Sequence, residues 1–208
     1  CFAYEVLARS NLEGLESPAS MFAAAAQLGQ EAELSRLIRH EGVKAGARLP
    51  DATNLFVNTH PKEVGTPDLI ASLETLREIS GTAHITLEIH EAGIVDQPAL
   101  RQLRDVLLDL EMKLAFDDFG VGQSRLAELI NIQPHYVKFD MHLIRDLHLA
   151  AKQRQKMVGA LVGMLRDMDI GAVAEGIEGR QEADICRELG FDYAQGFYFG
   201  RPQPIRPR

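Results

Sequence analysis

Cysteine is scarce in this sequence, present only as Cys1 and Cys186 with no CxxC spacing. That speaks against a disulfide framework and a cysteine-built zinc site, and it fits a reducing, cytoplasmic compartment. Long apolar runs are missing too. None approaches the roughly 20 residues that cross a bilayer, and no signal peptide is visible, so no membrane span is expected. Positive charge is in deficit, with 22 Lys and Arg against 30 Asp and Glu and a net charge of −8. A chain of that sign is unsuited to non-specific binding of duplex DNA or an anionic membrane. An anionic ligand would need a local cation, either a bound metal or a placed Arg. No HExxH and no paired His spacing appears, and no Ser/His/Asp or Cys/His arrangement suggests a protein nucleophile.

What is present is a pattern of short apolar runs that finish on polar residues. Strands are predicted over Phe2–Leu7, Leu55–Asn58, Ile85–Ile89, Lys113–Phe116, Tyr136–Asp140, Gly171–Ala174 and Ala194–Phe199. Helical spacing lies between them: Leu34, Leu37 and Ile38 share one face, as do Val158, Leu161, Val162 and Leu165. Strand–helix alternation implies parallel strands with crossover helices, and 208 residues suit one such α/β domain. Within Ile85–Ile89 the apolar set opposes Thr86 and Glu88, and in Tyr136–Asp140 Val137 and Phe139 oppose Lys138 and Asp140. An open doubly wound sheet prefers apolar residues on both faces, so a barrel is favoured. The barrel is assigned to residues 1–202 and an irregular tail to 203–208, where Pro204 and Pro207 stand. The chain opens on an apolar run without an initiator Met, and it is expected to be a domain of something longer.

In a parallel barrel the strand ends form the rim where chemistry sits. Asp117-Asp118-Phe119-Gly120-Val121-Gly122 is the sharpest motif. Both carboxylates reach one site only if the strand ends there, with the glycines permitting the bend, and a divalent cation would relieve their repulsion. A solvated Asp pair capping a helix is the plainer reading. Glu88 and Glu91 flank Ile89-His90, where a pair of surface charges is the alternative. Glu5 sits in an apolar run, with Arg9 available as its partner or as a grip for phosphate. Asn58 offers a neutral oxygen or makes a turn. Lys138 and Asp140 form either a structural ion pair or an oriented cation that acts on water. Glu175-Gly176-Ile177-Glu178 and Gln195-Gly196 repeat the strand-end pattern. Oxygen donors of this kind favour Mg²⁺ or Mn²⁺ over Zn²⁺.

In order and spacing these residues resemble the EAL-domain phosphodiesterases of cyclic di-GMP. The signature appears as Glu5-Val6-Leu7-Ala8-Arg9, followed by Phe56-Val57-Asn58, Leu87-Glu88-Ile89-His90-Glu91 and Asp117-Asp118-Phe119-Gly120. Lys138-Phe139-Asp140, Ala174-Glu175-Gly176-Ile177-Glu178 and Gln195-Gly196-Phe197 through Arg201-Pro202 complete the set. The resemblance implies a modified TIM-type (β/α)8 barrel whose first, antiparallel strand is missing here, which leaves seven. It implies two ions, Mg²⁺ or Mn²⁺. Glu5, Asn58, Glu88 and Asp117 would bind one, and Asp117, Asp118 and Glu175 the second. Lys138 would act on the attacking water, held by Asp140. Glu91 would anchor the loop of Gly120, Gly122 and Ser124, Arg9 would contact phosphate, and Glu178 and Gln195 would complete the surroundings or touch substrate. The product would be linear pGpG. A homodimer and neighbouring regulatory or sensory domains are implied as partners.

The sequence departs from the family at Val6, where the signature has Ala, and at Gln123-Ser124-Arg125-Leu126, where an aromatic-Ser-Ser-Leu run is usual. A module that holds cyclic di-GMP without cleaving it is the alternative reading, and a metal-dependent lyase on another barrel is a third. Asp118-Phe119-Gly120 spells a kinase motif, but its Gly-rich loop, Val-Ala-Ile-Lys strand and His-Arg-Asp loop are absent from the sequence.

Overall fold

A computed structural model describes residues 1–49, 53–90, 97–120 and 126–205. The chain divides into two units, Cys1–Lys113 with Pro204–Arg208, and Leu114–Gln203. The first contains β1 (Ala3–Glu5), α1 (Pro18–Leu28), α2 (Glu31–Gly46), β2 (Asn54–Thr59), α3 (Pro67–Ile79), β3 (His84–His90) and α4 (Gln97–Asp109). A short 3-10 turn, Pro61–Glu63, follows β2. The strands pair in parallel in chain order, with Glu5 opposite Phe56 and Asn58 opposite Glu88. Parallel neighbours cannot be joined by a hairpin, and helices make the crossovers. Sequence punctuates those helices. Ser17 and Thr66 accept backbone N–H groups at the starts of α1 and α3, with Pro18 and Pro67 just inside.

The second unit holds β4 (Lys113–Phe119, entered at Lys113), α5 (Leu126–Ile132), β5 (Tyr136–Phe139), α6 (Met141–Ile144), α7 (Lys152–Asp167), β6 (Gly171–Ala174), α8 (Arg180–Leu189) and β7 (Tyr193–Ala194). Its strands also run parallel in chain order. Val158, Val162 and Leu165 form the buried face of α7, as their spacing predicts. Phe139 is buried between Phe119 and Phe191, with ring centroids at 5.3 and 4.9 Å. Among the described residues no helix is long and apolar enough to cross a membrane. Cys186 is buried and free, its thiol pushed up to about 12 by burial and then by Glu182.

Two expectations are corrected. The apolar face of α2 expected from Leu34, Leu37 and Ile38 is not the buried one: Leu37 is 57% exposed, whereas Glu31, Ser35, Arg39, Val43 and Gly46 are buried. Arg39 finds a complete charged partner in Glu63, and Gly46 allows contact with Leu55, which a Cβ would overlap. The seventh strand stops at Ala194 rather than Phe199. Gly196 passes so close to the Ile177 backbone that a Cβ would overlap it. The chain then turns, with the Phe199 N–H donating to the Gly196 carbonyl, and Phe197, Tyr198 and Phe199 are exposed.

Candidate metal centre and strand-end site

In the second unit the site starts from an irregularity in β4. Its register against β5 shifts between Phe116 and Phe119, and Phe119 still pairs with Phe139. The strand therefore runs through the Asp pair instead of ending before it. The bend is made by Asp118 itself, whose φ of 57° lies in the left-handed region, one that Asp enters more readily than most residues. Neighbouring side chains of a regular strand point to opposite faces, and the bulge breaks that rule. One carboxylate oxygen from each of Asp117, Asp118 and Glu175 lies within 4.8 Å of the others. Gly120 follows at φ 103°, where a Cβ would overlap Leu143.

Lys138 is buried on β5, its Nζ 3.1 Å from Asp117 Oδ1 and 2.9 Å from Glu175 Oε1. Glu175 is held by its own N–H, which donates to the Phe139 carbonyl at 3.1 Å. Two of the three carboxylates thus meet one ammonium, and a cluster of oxygen-only donors with more carboxylates than that cation suits a hard divalent ion.

The remaining residues of this unit surround that cluster in sequence. Asp140 caps α6, and its Oδ1 accepts the backbone N–H of His142 at 2.7 Å and engages that residue's ring. Burial raises its carboxyl, but these His142 interactions outweigh it and hold Asp140 below the usual carboxylate range. Glu178 is exposed and pairs with Arg145 at 2.8 Å. Its backbone N–H donates to Glu182 Oε2, also at 2.8 Å, and Glu182 Oε1 accepts from Asp146 N–H. Burial opposes the charge on Glu182, yet these backbone donors keep its carboxyl below the ordinary value. Gln195 is half-buried, its N–H donating to Ala174 and its carbonyl accepting from Ile177.

The first unit brings together a second set. Glu5 ends β1, Asn58 lies directly opposite Glu88 on β3, and Asn58 Nδ2 donates to Glu5 Oε1 at 3.1 Å. Glu88 is fully buried. Carboxylates are costly to bury, so its place is not that of a surface charge. Arg9 is exposed, and its Nη1 donates to the carbonyl of Ala8. Glu91, Gly122 and Ser124 lie outside the described residues. The sequence reading missed Arg39 and Glu63, whose buried ion pair adjoins Asn58. No periodic signal marked them, because Leu34 and Ile38 keep the same i, i+4 spacing as Ser35, Arg39 and Val43.

Comparison with known proteins agrees with this geometry. The EAL domain model matches residues 1–202. RocR, a cyclic di-GMP phosphodiesterase of Pseudomonas aeruginosa, is 30% identical over 162 residues, 76% of this chain and 41% of its own length. The Sinorhizobium fredii protein y4lL is 29% identical over 97% of this chain and 25% of its own length. The chain therefore spans only a quarter to two fifths of these curated relatives. Klebsiella pneumoniae BlrP1, solved with calcium and cyclic di-GMP, matches with a TM-score of 0.86 and 30% identity over 97% of this chain and 51% of its own. A manganese complex of BlrP1 matches at 0.82. That likeness shows a shared fold, an α/β barrel of the TIM type. With a family model covering residues 1–202 of 208, the chain belongs to the EAL domain family.

Proposed function

We propose that this domain hydrolyses cyclic di-GMP to linear pGpG with the help of bound Mg²⁺ or Mn²⁺. The observation that carries the reading is the cluster of Asp117, Asp118 and Glu175 with Lys138 set against two of its carboxylates. Family membership and the named activity of RocR support the substrate, and the manganese and calcium complexes of BlrP1 support a divalent ion. A cation held there supplies positive charge for the phosphodiester and acidifies water.

Asp117, Asp118 and Glu175 are the proposed ligands in the second unit, and Glu5, Asn58 and Glu88 take ligand roles on the family's pattern. Lys138, fixed by two carboxylates, orients the attacking water through its ammonium hydrogens. Water adds to phosphorus, the bond to the ribose 3′ oxygen breaks, and that oxygen leaves as a hydroxyl with the proton the water gave up. The 5′-phosphate stays on the linear product. Net charge of −8 makes local cations necessary for a dianionic substrate.

The test is mass-resolved chromatography of cyclic di-GMP incubated with the domain and Mg²⁺ or Mn²⁺, beside an EDTA control. Metal-dependent pGpG is expected. Intact nucleotide in the presence of metal overturns hydrolysis, and a binding titration on the same sample then tests the receptor reading.

A further inference from the structure

Helix α2 turns a polar stripe inward. Arg39 is 1% exposed and Glu63 is 0% exposed, and they meet in a fork, Nη1 to Oε1 at 2.9 Å and Nη2 to Oε2 at 2.6 Å. The cost of removing such a pair from water can exceed its attraction unless the geometry is close and further hydrogen bonds satisfy both groups. Apolar residues of similar volume often stabilise a fold as well. The pair therefore needs a reason beyond packing, and its other hydrogen bonds supply one. Arg39 Nη1 donates to the backbone carbonyl of Asn58 at 3.1 Å. Glu63 Oε1 and Ser35 Oγ both accept the backbone N–H of His60, each at 3.1 Å. Ser35 in turn accepts from Arg39 at 3.0 Å. The peptide groups on both sides of Thr59 are thus fixed from buried side chains, directly behind the residue whose carboxamide donates to Glu5.

We propose that Arg39 and Glu63 are positioning residues for the strand-end site: they lock the backbone at Asn58 and His60, and so aim the Asn58 carboxamide at Glu5 beside Glu88. The consequence for metal affinity rests on the reading under Proposed function. The aim of the carboxamide does not. Arg39 Nη2 also reaches Ser72 Oγ on α3 at 3.3 Å, a contact that leads away from the strand end and so provides a control.

The experiment compares wild type with Arg39→Met/Glu63→Leu, Arg39→Lys and Ser72→Ala. The double variant removes both charges together, so no buried charge is stranded. Arg39→Lys keeps the charge but has no fork to span the carboxylate and the Asn58 carbonyl. Two readouts are taken: the side-chain amide resonances of Asn58 without metal, assigned with Asn58→Ala, and Mn²⁺ affinity by the paramagnetic resonance of free ion. In the double variant and Arg39→Lys the Asn58 signals should move or broaden. Mn²⁺ affinity should fall about 10- to 100-fold, the usual effect of losing a residue that orients a ligand. Ser72→Ala should match wild type in both. Folded variants with wild-type Asn58 signals and wild-type Mn²⁺ affinity overturn the proposal. Should the double variant fail to fold, Arg39→Lys decides. Should wild type itself not bind Mn²⁺, the metal reading fails, and the metal-free Asn58 signals still decide the clamp.

Discussion

Asp118 joins two demands that oppose each other. Its φ of 57° places an L-residue in the left-handed region, at a cost of roughly 1–2 kcal/mol for an ordinary side chain. Its carboxylate also stands among those of Asp117 and Glu175. Both are accounted for together if the residue serves to bind a cation. Asp118→Gly removes the strain and one of the repelling charges together. Urea unfolding without metal should show this variant unchanged or up to about 1 kcal/mol more stable, since glycine suits a positive φ. Turnover of cyclic di-GMP should drop at least about tenfold, because even outer partners of metal ligands cost about 10- to 100-fold. Wild-type turnover in Asp118→Gly would remove the carboxylate from the site. The Asp pair was legible in sequence, but the bulge was not. A register shift depends on where the neighbouring strand pairs, and no local residue pattern marks that.

Among the elements, β1 and α2 show how a departure from the signature is accommodated. Val6 stands next to Glu5, and its N–H donates to the Phe56 carbonyl. Its Cγ1 occupies the place that a Cβ on Gly42 of α2 would take. The extra methyl groups at position 6 are matched by the absence of one at position 42. Gly42→Ala alone should therefore destabilise, since overpacking typically costs about 1–3 kcal/mol, despite the gain of about 1 kcal/mol that alanine brings to a helix interior. In Val6→Ala/Gly42→Ala the overlap with Cγ1 is removed, a tight contact with the Cβ at position 6 is left at 3.3 Å, and the helix gain is released. The double variant should be more stable than Gly42→Ala, with a coupling between the sites of about 1 kcal/mol or more in a denaturation cycle. Additive effects would show that α2 does not press on the signature strand. The sequence revealed the strands and their polar ends because alternation and strand-end chemistry are local. It misassigned the inner face of α2 because the burial of Arg39 is decided by Glu63, 24 residues away, and such a pair leaves no periodic trace. It overran β7 because Phe197 to Phe199 look like a strand, while the turn is set by the approach of Gly196 to Ile177.

For the whole molecule, a cation site makes stability depend on metal in a way that charge alone does not. A ligand that binds only the folded chain adds about 2.7 kcal/mol at 100 times its dissociation constant. For a chain of this length each kcal/mol moves the melting midpoint by about 2–4 °C, so saturating Mn²⁺ should raise it by roughly 5–10 °C. The net charge of −8 offers a competing cause, because any divalent salt screens self-repulsion in an acidic protein. The two causes separate in Asp117→Asn. That variant changes the net charge by one unit and screens almost as wild type does, but it loses a carboxylate of the cluster beside Lys138. The shift should then shrink to the small rise that NaCl of equal ionic strength produces, EDTA should reverse the wild-type shift, and turnover should fall with it. An equal rise in wild type and Asp117→Asn would assign the effect to screening. The cluster of Asp117, Asp118 and Glu175 would then be an acidic patch that needs no ion.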